Sequence, residues 1–138
     1  MTFPVASVPA KSYPVQAPYV LHQVVATPGI SMFAISTPTI YTVPAGYTAV
    51  ITGVILQCTS AVGVGTPATA GVGIAAGESD IFAPVSLTGF LAAGDVWSFF
   101  LTGKARTAPA GSAVKLGIDV AATGTSQVVT ARVIAFLF

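Results

Sequence analysis

The chain has 138 residues, of which 54% are hydrophobic and only 7% charged, with a formal net charge of +1. That length fits one domain, and its charge content falls far below the roughly 25% of typical soluble domains. The near-neutral balance excludes the basic footprint of a nucleic-acid binder. Cys58, the single cysteine, excludes an intrachain disulfide.

The first 18 residues read as an extended arm. Pro4, Pro9, Pro14 and Pro18 each remove a backbone donor and fix φ, so neither a helix nor a central strand persists there. Phe3, Val5, Val8, Tyr13 and Val15 interleave with them. Disordered tails are usually charged and poor in apolar groups, so this arm is expected to dock on a surface. These five residues, with Tyr19 where the arm ends, are candidate interface residues. The start has no basic region followed by an apolar core, so no signal peptide is expected and assembly is expected in the cytoplasm.

The rest, 19–138, is expected to be one domain. Residues 19–26 read as a strand, Thr27-Pro28-Gly29 as a turn, and 30–35 as a second strand. Tyr41 and Val43 lead into the turn Pro44-Ala45-Gly46, and 47–58 follow as the strongest strand. Its residues divide into Ala49, Ile51 and Ile55 against Val50, Val54, Leu56 and Cys58, so both faces are apolar. A strand with one wet face alternates more cleanly, so the second face asks for a cover, either the arm or a partner.

A Gly- and Ala-rich loop occupies 59–69, and 70–76 form a weak strand. The turn 77–80 carries Glu78 and Asp80. Pro84 demotes the strand 81–87 to an edge or a bulge. The turn ending in Gly94-Asp95 feeds 96–102, where Trp97, Phe99 and Leu101 share one face and Val96, Ser98 and Phe100 the other. A loop with Lys104 and Arg106 follows. In 113–121, Val114, Leu116, Ile118 and Val120 point in, while Lys115, Gly117 and Asp119 point out. The last strand, 127–138, places Arg132 on a face with Phe136 and Phe138.

No window carries a capped helical stripe. The expected fold is all-β: an antiparallel β-sandwich, jelly-roll-like, with about eight to ten strands and an extended Pro-rich N-terminal arm. The longest apolar runs fall short of the roughly 20 residues of a spanning helix, and no membrane partner is expected.

Catalytic chemistry finds little support. A metal site needs several His, Cys, Asp or Glu ligands, and a nucleophilic triad needs a histidine oriented by an acid. His22, the only histidine, sits in an apolar strand and reads as structural or interfacial. Glu78 and Asp80 read as a solvated pair. Trp97, Phe99 and Phe100 read as core before they read as a ligand platform. No enzyme activity, cofactor or metal is expected. Lys104 and Arg106 read either as a solvated loop tip or as an anchor to an acidic neighbouring subunit. A covered Arg132 would demand a carboxylate, from Asp119 or from a partner.

The phrase from Tyr41 to Thr52, with Pro44-Ala45-Gly46 at its centre, and the phrase Leu91-Ala92-Ala93-Gly94-Asp95-Val96-Trp97 resemble phrases of tailed-bacteriophage virion proteins with jelly-roll domains. The resemblance is to small head decoration, or cement, proteins and to fibre modules. It implies a virion structural role and virion location, with the major capsid protein or other virion proteins as partners, often as a homotrimer on the outside of the shell. It transfers no site residues. A tail or fibre module binding a host receptor or glycan is the alternative, and a jelly-roll enzyme is a third class that one histidine disfavours.

Overall fold

The computed structural model describes residues 21–74, 80–100 and 107–138. The arm, with Phe3, Val5, Val8, Tyr13, Val15 and Tyr19, lies outside the described residues, as do Glu78, Leu101, Lys104 and Arg106.

Nine strands are described: β1 (Leu21–Ser31), β2 (Thr39–Thr42), β3 (Ala49–Val62), β4 (Thr69–Gly73), β5 (Phe82–Ser86), β6 (Val96–Phe100), β7 (Thr107–Ala108), β8 (Ala113–Val120) and β9 (Ser126–Leu137). They form two antiparallel sheets. One has the order β1-β9-β3-β6, with the short β7 also on β3, and the other has β2-β8-β4-β5. The pairs β1/β9, β2/β8, β3/β6 and β4/β5 fold the first half of the chain back on the second. The pairs β3/β9 and β4/β8 then join neighbouring arms of that long hairpin. This is the winding of a jelly roll, in which closing two sheets over one core leaves few exposed edges.

Inward-facing residues of both sheets fill the space between them. Val54, Leu56, Val129, Ala131, Val133 and Ala135 line it from one sheet, and Val72, Val114, Leu116 and Ile118 from the other, all at most 1% exposed. Val120 was expected inside with the β8 set but is 53% exposed, at the residue where β8 ends. Two bonds tie the sheets together at their β1/β2 margin. Tyr41 Oη donates to Gln23 Oε1 at 2.5 Å, and Thr27 Oγ1 donates to the Ile40 carbonyl at 3.1 Å. Burial pushes the Tyr41 phenol above its ordinary pKa, so it stays a donor.

Pro84 lies as expected: β5 is the outer strand of its sheet, and its register against β4 shifts between Ala70 and Val72. Pro28-Gly29 makes no turn. The strand continues through it, and the register against β9 slips by one residue between Thr27 and Ile30. β1 is an edge strand, where a missing N–H costs no ladder bond, and Gly29 takes φ 75°, so a turn signal in sequence becomes a bulge.

β3 carries two further bulges against β9, with Thr52 and Thr59 as the extra residues. Thr52 Oγ1 donates to the Ile134 carbonyl at 3.3 Å, and Thr59 Oγ1 donates to the Val128 carbonyl at 3.1 Å. In both cases a hydroxyl reaches a backbone acceptor beside the disturbed ladder. The first bulge also changes the face assignment. Ala49, Ile51, Val54, Leu56 and Cys58 are the buried set, while Val50, Thr52, Ile55 and Gln57 are only half-buried. The sets expected from strict alternation are mixed because the extra residue at 52 inverts the phase.

Candidate interaction surface

The outer face of the five-stranded sheet is ordered by strand register. His22, Phe136 and Val50 form one row across it. Val24, Ile134, Gly53 and Phe100 form the next. Ala26, Arg132, Ile55 and Ser98 form a third, and Thr130, Gln57 and Val96 a fourth. Phe138 extends the ladder through backbone bonds of 3.0 and 3.1 Å with Thr48. Alternation places it on the same side as Phe136.

The face is apolar toward the Leu21 end of β1 and more polar toward the other end. Val24, Phe100 and Phe138 are 54, 57 and 51% exposed, and Phe136 is 37% exposed. The His22 ring lies against Phe136, with centroids 5.0 Å apart. Phe100 lies over Gly53, where an added Cβ would meet its ring at 3.1 Å. Scattered single apolar residues are normal on a protein surface, but a contiguous patch marks an interaction site.

Arg132 is the only charge on this face among the described residues. It does not meet the expected carboxylate of this chain. Its Nη1 donates to Gln57 Oε1 at 2.7 Å, while Asp119 is exposed on β8 of the other sheet. A half-buried guanidinium keeps part of its hydration, so a neutral amide acceptor suffices.

The opposite outer face differs in chemistry. Gly71 pairs with Gly117, and Lys115 and Asp119 flank them on β8, so that side is flat and carries charge. Phe100, expected as core, lies outside, whereas Phe99 is 6% exposed and stacks on Phe82 at 5.8 Å. Trp97 meets Phe99 edge-on at 6.5 Å and is half-buried. Among the described residues, no group of three or more His, Cys, Asp or Glu could hold a metal ion.

Two polar residues hold the loop between β5 and β6 in place. Gln127 Nε2 donates to the buried Phe90 carbonyl at 2.9 Å. Gln127 is 1% exposed, and its signal in sequence was a polar residue on the inward phase of β9. The Asp95 carboxylate accepts from the Leu91 and Ala92 amides at 3.0 and 2.9 Å. The Ala92 and Leu91 hydrogen bonds hold its pKa below the usual carboxylate range. Such a group adds stability above its unfolded pKa of about 3.9 and loses it as pH falls through the lower folded value. Asp95→Ala should therefore melt below the wild type at neutral pH, with the gap closing as the pH falls below the ordinary carboxylate range and through the lower folded value. Thermal melts of both proteins from neutral to acidic pH check this.

No family model and no curated protein matches the sequence. Solved structures that share the fold include chains of two phage capsids. A chain of the acid-stable capsid of Helicobacter pylori bacteriophage KHP30 aligns with a TM-score of 0.58 at 12% identity, covering 87% of this chain and 95% of that one. A chain of the cyanophage Pam1 capsid asymmetric unit aligns with a TM-score of 0.53 at 18% identity, covering 92% and 93%.

Proposed function

We propose that this chain is a bacteriophage virion structural protein, specifically a decoration or cement protein on the outer shell. In this reading it acts as a homo-oligomer, a trimer, and binds the major capsid protein or another virion protein. It assembles in the host cytoplasm and ends in the virion. One observation carries the reading: a jelly roll, shared along most of its length with chains of two phage capsids, displays large apolar side chains on one outer sheet face, the mark of a surface covered within an assembly. The mechanism is physical and involves no enzyme chemistry. Each copy spans neighbouring shell subunits and buries apolar area at about 25 cal/mol per Å² before ordering costs. Binding only to the assembled shell stabilises the shell by linkage.

A tail or fibre module binding a glycan would present aromatics at one end of the sandwich. Here Phe100 and Phe136 lie on a sheet face, within the strands, which favours assembly. The test adds purified protein to shells that lack it and follows co-sedimentation and shell melting. Binding with a shell Tm raised by several degrees is expected. Failure to bind, with a hit on a glycan array, would replace this reading with the receptor-binding one.

A further inference from the structure

We propose that the apolar end of the outer face of the five-stranded sheet is the docking site for residues 1–18 of a second copy of this chain. The inference goes beyond attachment to a shell, because it concerns contact between copies and is testable without shells.

The face supplies the first argument. Its apolar rows, with Val24, Ile134, Phe100, Phe136 and Val50, lie beside Leu21, which pairs with Leu137 where β1 begins. The chain that precedes β1 therefore starts at the margin of the patch. Its chemistry supplies the second. Phe3, Val5, Val8, Tyr13 and Val15 provide apolar side chains, and Lys11 is the only charge among those 18 residues. Four prolines lack the N–H that a strand added to the β1 edge would need, so side chains on a face are what this segment can offer.

Length supplies the third argument. Eighteen extended residues reach about 60 Å, whereas four strands are about 15 Å across. The segment can cross the face and has length to spare for reaching another molecule. Direction selects the donor. Followed backward from Leu21, the chain leaves the sheet at its Phe138 end. Covering its own face would require a reversal just before β1, and there Pro18 is the only turn-forming residue, with no Gly, Asn, Asp or Ser beside it to complete a tight turn. Continuing onward delivers the segment to a neighbour. If each copy donates one arm and receives one, the exchange closes either as a two-fold swap or as a ring. Arg132 raises no obstacle: it lies one row beyond the apolar rows and already bonds Gln57.

The experiment uses the full chain with a photo-reactive phenylalanine analogue at position 100, assembled as an equal mixture of light and nitrogen-15-labelled protein. Cross-linked peptides from residues 1–18 are expected, with light-heavy pairs among them. Phe100→Asp, at an exposed position that the core does not need, and the double change Phe3→Ser with Val5→Ser should each raise the oligomer dissociation constant at least 100-fold while leaving the melting transition cooperative. Cross-links confined to light-light and heavy-heavy pairs would overturn donation between copies. Cross-links elsewhere, a wild-type chain that is monomeric at tens of micromolar, or oligomers indifferent to both variants would overturn the site itself.

Discussion

Gly124→Ala should be among the most damaging small substitutions in this protein, costing about 3–5 kcal/mol and lowering Tm by at least 10 °C or so. Gly124 precedes β9 with φ 129°, a backbone region that disfavours side chains. The obstruction is more than torsional. An added Cβ would overlap the Gly63 carbonyl oxygen and stand 2.8 Å from its carbon and 3.0 Å from Val64 Cα. All three are backbone atoms, so no rotamer change relieves the contact. The two segments are also tied together, since Gly65 N donates to the Thr123 carbonyl at 2.7 Å and Thr125 N to the Val62 carbonyl at 3.2 Å. Moving one loop away would cost those bonds and the end of the β3/β9 ladder. Gly89→Ala is the control. Gly89 has φ 84° but nothing within 4 Å of an added Cβ, so only the torsional cost of about 1–2 kcal/mol applies. Thermal and urea melts of the two variants should separate clearly, and equal losses would mean that the crossing relaxes freely.

Leu56→Ala should cost about 2–5 kcal/mol, toward the upper end of that range. Leu56 is fully buried on β3, between Ala131 on β9 and Trp97 on β6. The core on this side is built from unequal partners. Ala49, Ala108, Ala131 and Ala135 are all 0% exposed, so the few large side chains carry most of the filling. Alanine neighbours have no rotamers with which to close a cavity, and a β-strand bonded on both sides moves little. Val96→Ala on the outer face, at a residue 58% exposed, should change the stability of the isolated protein by less than about 1 kcal/mol. Urea denaturation with an unchanged m-value for both variants would show that the loss at position 56 belongs to packing.

Most of the fold was legible in local pattern. The alternation of Val114, Leu116 and Ile118 places β8 correctly, Pro84 marks an outer strand, and Pro44-Ala45-Gly46 turns between β2 and β3 with Gly46 at φ 83°. What sequence could not show are properties of strand pairs. Whether Pro28-Gly29 turns or bulges depends on whether β9 continues beside it. Whether Val54 faces the core depends on the extra residue at Thr52, which only the β9 register reveals. Arg132 was recognised as unusual, but its acceptor, Gln57, comes from a neighbouring strand 75 positions away. The second apolar face of 47–58 was legible as a demand for cover. In the folded protein the apolar character of that face rests as much on Phe100, Phe136 and Val24 from β6, β9 and β1 as on β3 itself.

The most direct test of the functional account is an image, at side-chain resolution, of the particle that carries this protein. The account predicts this jelly roll on the outer surface of the shell, in symmetric clusters, with the face bearing Phe100 and Phe136 covered. Finding the sandwich in a tail or fibre with that face open to solvent, or finding no copy in the particle, would contradict it.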